Sequence, residues 1–196
     1  MTYQETKIEA GSFSAWLEMT KKSIANGTGI TVPCGSCGAC CRSAFYIAVR
    51  QNEIKAFAHI PKELLSEIPG VPEVYYIGFN EQGHCPLLID DLCSIYEYRP
   101  HSCKTFDCRV YTATGIKLDK EDNSPINMRV NEWKFSYATK NDRIQQGNLL
   151  RAVSILKENL DPGSMDPPTE NRRLLALNAI LHSERINTIW NEDVLK

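Results

Sequence analysis

Hydrophobic and polar positions change period several times along this chain, and those changes divide it into elements. Between Ser12 and Asn26, Phe13, Trp16, Leu17 and Ile24 recur at helical spacing, with Ser12 as the N-cap. Asn26-Gly27-Thr28-Gly29 ends this helix, and its glycines suit a backbone that must curl tightly. Phe45 to Val49 reads as a short strand. Asn52 is placed to cap a helix running toward His59, and Pro61 to open another through Ile68. Val74 to Phe79 reads as a strand closed by Asn80-Glu81-Gln82-Gly83. Pro86–Ile89 and Leu92–Ile95 then flank Asp90-Asp91 as the arms of a hairpin. Arg99-Pro100 marks a break, because the residue before proline avoids the α region.

The pattern changes after Tyr111. Residues 113–128 are polar and turn-rich, which predicts a loop or a short hairpin, and Val130 to Tyr137 reads as a strand around Trp133. Two longer amphipathic helices follow. The first covers about 142–160 and presents Ile144, Leu149, Leu150, Val153, Leu156 and Leu160. The second covers about 169–190, with Leu174, Leu177, Ile180, Leu181 and Ile189 inward. Asp161-Pro162-Gly163 and Pro167-Pro168 make a stiff linker between them. No internal repeat or low-complexity tract interrupts the pattern. The expected class is α+β, in three segments: a helical lead-in (1–33), a cysteine-rich region of short strands and helices (34–112), and a connecting segment with C-terminal helices (113–196).

Composition narrows the function. At 42% hydrophobic and 23% charged, the 196 residues suffice for a real core, which excludes disordered and collagen-like classes. A net charge of −2 and a pI near 6.1 give no global reason to bind nucleic acid or an anionic membrane. Residues 1–10 lack the apolar core of a secretory signal, and no apolar run reaches the ~18–20 residues of a membrane span. The expected location is therefore the cytoplasm, where thiols stay reduced.

That compartment gives weight to the cysteines. All eight fall between Cys34 and Cys108, beginning with the run Cys34-Gly-Ser-Cys37-Gly-Ala-Cys40-Cys41 and continuing with Cys85, Cys93, Cys103 and Cys108. In a reducing compartment such confinement points to soft thiolate ligands for a metal or cluster rather than to disulfides. The spacing of Cys34, Cys37 and Cys40 repeats the opening of bacterial ferredoxin ligation, and Cys85-Pro86 has the form of its remote ligand. A 4Fe–4S cluster on Cys34, Cys37, Cys40 and Cys85 is one reading. Four-cysteine zinc sites use the same thiols and pair spacing, and Cys41, Cys93, Cys103 and Cys108 would supply a second site. Cys40 and Cys41 are adjacent, so their side chains need not serve one ion. Cys41 is then a ligand, a bridging or redox-active thiol, or simply a buried residue.

The series Cys-Gly-x-Cys-Gly-x-Cys-Cys-Arg, Gly83-His84-Cys85-Pro86-Leu87, Cys93-Ser94-Ile95-Tyr96-Glu97-Tyr98-Arg99-Pro100 and Cys103-x4-Cys108 resembles the CxxCxxCC (YkgJ-type) cysteine cluster family. The likeness covers residues 34–108. It implies zinc or iron chelation, or an iron–sulfur cluster, by all eight cysteines. That family also includes flagellin lysine N-methylases, which are longer. This chain carries no glycine-rich S-adenosylmethionine loop.

The remaining candidates are weaker. His84 and His101 flank Cys85 and Cys103, and histidines so placed more often hydrogen-bond a ligand from behind, or lie exposed, than bind the metal. His59 and His182 fall on predicted helices and suggest no chemistry. Arg42, Arg99, Lys104 and Arg109 offer positive charge near thiolates, or are ordinary surface residues. Tyr96, Tyr98, Phe106 and Tyr111 would suit base stacking, but the chain's acidity favours packing around the site. Asp107 is the nearby carboxylate to consider as an acid or base, and an exposed turn position is the simpler expectation. Together these features predict a cytoplasmic zinc- or iron–sulfur-binding protein with a structural or redox role. A protein-modifying enzyme and a zinc-stabilised module with a protein partner are the alternatives.

Overall fold

The computed structural model describes residues 7–30, 32–34, 36–118, 124–159 and 169–193. Strand β1 (Ile8–Ser12) runs directly into helix α1 (Phe13–Asn26). A 3-10 turn at Cys40–Arg42 precedes β2 (Ile47–Arg50) and α2 (Ile54–His59). A second such turn (Lys62–Leu64) leads to β3 (Ser66–Ile68), β4 (Val71–Ile77), β5 (Leu88–Ile89) and β6 (Leu92–Cys93). After a third (Tyr96–Tyr98) come α3 (His101–Lys104), α4 (Arg109–Thr114), α5 (Pro125–Glu132), β7 (Trp133–Ser136), α6 (Lys140–Glu158) and α7 (Thr169–Asp193). The class is α+β.

The chain divides into two units. One comprises Asn26–Asp107 with Ser124–Ile126, and is called here the thiol unit. The other comprises Met1–Ala25, Cys108–Asn123 and Asn127–Lys196, and is called the helical unit.

In the helical unit, β1 and β7 pair in parallel, from Ile8 opposite Trp133 to Ser12 opposite Ser136. Helices α6 and α7 pack together, and α4 meets both. Phe13, Trp16, Leu17, Phe135, Leu149, Ala152, Val153, Ala176, Ala179 and Ile180 form a buried apolar core. Phe13 meets Phe135 edge-on at 5.3 Å and stacks on Tyr137 at 5.5 Å. Asp142 is fully buried within this unit. It completes a capping box with Thr139 at the start of α6, while its Oδ1 accepts from Ser14 Oγ (2.6 Å), Ser14 N (2.9 Å) and Ser12 Oγ (2.9 Å). The hydrogen bonds from Ser14 and then Thr139 hold its carboxyl well below the usual range.

The thiol unit is built from smaller pieces. Its main sheet has the order β2-β4-β3, all antiparallel, and β5 and β6 make a separate hairpin. The hairpin turn is Asp90-Asp91, with φ of 46° and 64°. Two left-handed residues match the twist of a tight hairpin, and Asp tolerates that region better than most side chains. The core joins Val49, Ala56, Ile60, Ile77, Leu87 and Ile95 to Cys85, with Cys41 and Cys93 packed against it. Cysteine is part of this core.

The sequence pattern and the structure part at several elements. Pro125 opens a helix through Glu132 where the sequence pattern predicts a loop or a short hairpin, proline being well suited to a first helical turn, so β7 begins only at Trp133. Pro61 introduces a single 3-10 turn, after which the chain pairs with β4 as β3. Glu53, not Asn52, precedes α2. Leu149, Val153 and Ile180 are buried as expected, whereas Ile144, Leu150, Leu174 and Leu181 are exposed; Ala152, Leu175, Ala176 and Ala179 complete the buried faces of α6 and α7. A count of large aliphatic residues misplaces that stripe, because alanines let two long helices approach. Leu160, the 161–168 linker and the side chain of Ile189 lie outside the described residues.

Candidate metal centre

The cysteine run is shaped by local hydrogen bonds. Cys37 N donates to Cys34 O (3.0 Å), Gly38 turns the chain with φ +55°, and Ser43 Oγ donates to Ala39 O (2.7 Å). The run then meets the segment before β5 through two backbone bonds, Cys85 N to Cys41 O (2.6 Å) and Ala44 N to Gly83 O (2.8 Å). In the hairpin, Cys93 lies opposite Leu88, and Leu88 N donates back to Cys85 O (3.0 Å). Cys103 sits on α3. That helix is tied down by Ser102 Oγ donating to Ala48 O (2.7 Å) and by His101 N donating to the Glu53 carboxylate. The lead-in to the run passes so close to α3 that a Cβ at Gly29 would stand 2.6 Å from Lys104 O. Only glycine fits there.

These ties bring five thiols into one electrostatic neighbourhood. Cys41 feels Cys40, Cys85 and Cys93; Cys85 feels Cys93 and Cys40; Cys103 feels Cys40, Cys85 and Cys93. The Cys41 thiol donates to the Cys40 sulfur, which lowers Cys40 to about 7 and drives Cys41 well above the ordinary thiol range. Burial, reinforced by neighbouring sulfurs, pushes Cys103 up to about 12, and burial also raises Cys85. Arg99 is the nearby cation: its charge favours the thiolates of both Cys40 and Cys103. Its guanidinium lies over the Tyr96 ring at 3.6 Å while Nε donates to Tyr96 O (2.9 Å).

From the first predicted tetrad the structure gathers Cys40 and Cys85, and from the second Cys41, Cys93 and Cys103. Cys34 and Cys37 are half-buried on the approach turn, where Cys37 Sγ accepts from Ala39 N (3.4 Å). Cys108 belongs to the helical unit and is buried, its sulfur accepting from the Trp133 indole N–H at 3.1 Å. Among the described residues, no three His, Cys, Asp or Glu side chains stand ready to hold an ion as they are. The chemistry of the five thiols nevertheless suits a soft metal. Binding would replace the Cys41–Cys40 hydrogen bond and expel protons, so affinity rises with pH.

The other candidates sort themselves by position. Lys104 is exposed, whereas Arg109 is buried in the helical unit with Nη1 on Ala10 O (3.5 Å). His84 and His101 are half-buried, and Asn80 Oδ1 holds the backbone N–H of His84 (2.9 Å). Asp107 is buried rather than exposed, and so is Tyr111. Tyr98 is exposed with His59 stacked on it at 3.6 Å. No sequence signal marks Glu53, whereas the glycines of the turn after α1 mark the close approach at Gly29.

A family model described as a proposed zinc- or iron-chelating domain, CxxCxxCC, matches residues 33–133. The chain belongs to this CxxCxxCC family. The matched residues include all eight cysteines, α4 and α5, and leave α6 and α7 outside. Metal chelation is thus the family's chemistry. A search of curated proteins and of solved structures found no match to the chain. Among the described residues, no helix is long and apolar enough to cross a membrane.

Proposed function

We propose that the chain is a cytosolic protein whose thiol unit is organised by a cysteine-held metal, with zinc in a structural role as the leading form. The observation that carries this reading is that Cys40, Cys41, Cys85, Cys93 and Cys103, from four separate stretches of chain, share one electrostatic neighbourhood, with Cys85 in the unit's apolar core and Cys41 and Cys93 packed against it. Four thiolates complete a tetrahedral zinc shell, so the five are enough for one ion. A metal there would tie the cysteine run, the β5–β6 hairpin and α3 together, as no single short strand could. Cys34, Cys37 and Cys108 are then not required for that ion. A 4Fe–4S cluster needs the same number of thiolates and would give the protein a redox role instead.

Elemental analysis with a visible spectrum, on protein purified without oxygen, tests this. One zinc per chain and no colour is the expected result. Iron with acid-labile sulfide and absorbance near ~400 nm would replace the structural reading with the redox one. Stoichiometric absence of both metals would overturn it.

A further inference from the structure

We infer that Arg42 and Asp91 form a clamp that sets the cysteine run against the hairpin carrying Cys93, which makes Arg42 a positioning residue for metal capture. The inference rests on the metal-centre reading above. Arg42 follows Cys41 directly, and its guanidinium reaches in two directions. Nη1 donates to Cys37 O at 3.0 Å and Nη2 donates to Asp91 Oδ1 at 2.6 Å. Asp91 is the second left-handed residue of the hairpin turn, two positions before Cys93. One side chain therefore joins the turn at Cys37, the 3-10 turn of Cys40 and Cys41, and the hairpin.

Gly38 makes room for this fork. A Cβ there would stand 2.7 Å from Arg42 Nη1, and the positive φ of +55° already disfavours any side chain. The backbone bonds at Cys41–Cys85 and Ala44–Gly83 register the run against Cys85. The Arg42–Asp91 contact does the same for Cys93, on a hairpin whose two short strands are weak by themselves. Lysine has no planar fork and would keep one contact at most. Asp91 is 81% exposed at its side chain, so the ion pair adds little to global stability. Its effect is expected in the thiol geometry, not in the melting temperature.

The test uses the full chain as wild type, Arg42→Ala, Arg42→Lys, Asp91→Ala, Gly38→Ala and the Arg42→Ala/Asp91→Ala double variant. Zinc affinity is measured by competition with a chromogenic chelator. In the metal-free proteins, a short bifunctional thiol reagent reports by mass spectrometry how often Cys93 is bridged to Cys40 or Cys41. Arg42→Ala and Asp91→Ala should each weaken zinc binding about tenfold, the low end for groups that orient ligands. The double variant should be no worse than either single one, Arg42→Lys should recover little, and bridging to Cys93 should fall in step while melting of the metal-free proteins stays unchanged. Gly38→Ala should reproduce the loss from the other side of the fork. Unchanged affinity and bridging in Asp91→Ala, which removes only an exposed carboxylate, would overturn the clamp even if Arg42→Ala misfolds. Should the wild type bind neither zinc nor iron, the metal reading fails, and the bridging yields alone still decide the clamp.

Discussion

The helical unit and the thiol unit solve the same problem of cohesion with different materials. The helical unit has two long helices, a parallel strand pair and an aromatic core around Phe13, Trp16 and Phe135. Its one buried carboxylate among the described residues, Asp142, is saturated with hydrogen bonds. The thiol unit has strands of two to seven residues and helices of at most six, and it places Cys85, Cys41 and Cys93 where the other unit has aromatic and aliphatic side chains. Short elements bury little surface, and a small core is marginal without a staple. Under the proposed function, the metal has a structural task in the thiol unit and none in the helical unit.

The sharpest way to break this contrast is to remove a thiol from the converged group. Cys103→Ser should lose the metal and strongly destabilise the thiol unit, because structural zinc contributes ~10–16 kcal/mol in small zinc-finger peptides, comparable with a whole domain's stability. Metal content and circular dichroism check it, and a normal melt with full metal would refute it. Leu149→Ala, in the other core, should cost about 2–5 kcal/mol by denaturant unfolding while leaving metal content intact. Coupled loss of metal would show that the units are not separable.

Cys108 sharpens the comparison further, since it is a cysteine in the helical unit. Cys108→Ala should leave metal stoichiometry unchanged and destabilise the protein by about 1–3 kcal/mol, through the Trp133 N–H left without its acceptor. A lost metal equivalent would make Cys108 a ligand. The last effect is read as a pH dependence and belongs to Asp142. Its folded pKa lies below its unfolded value, so its stabilisation is complete above about pH 4 and is lost as the pH falls from there. Melting curves of wild type and Asp142→Asn between about pH 2 and 7 should show that acid-dependent component only in the wild type.

Local signals in the sequence were good where one segment settles its own structure. α1, α6 and α7 follow from periodicity, and the β5–β6 hairpin from Asp90-Asp91 between apolar arms. Contacts across long stretches of chain were not legible. Nothing near Ile8 announces a parallel partner at Trp133, and nothing in Glu53 announces that it will hold the N–H of His101. The cysteines divide in the same way. Their spacing and the family pattern identify a chelating region, but spacing cannot say that Cys108 follows the chain into the other unit. It also cannot say that Cys40 and Cys85 meet Cys41, Cys93 and Cys103 rather than Cys34 and Cys37. Arg42 was visible only as a charge beside the run; its fork became readable once Gly38 and Asp91 were placed around it.

The most direct measurement is hydrogen exchange, followed by peptide mass spectrometry, on the full chain before and after metal removal under reducing conditions. Stripping the metal should sharply lower protection across β2, β4, the hairpin and α3, leaving a loosened unit, while α1 and α6 keep theirs. Equal protection in the two states, or a loss spread evenly over both units, would contradict a metal that organises the thiol unit alone.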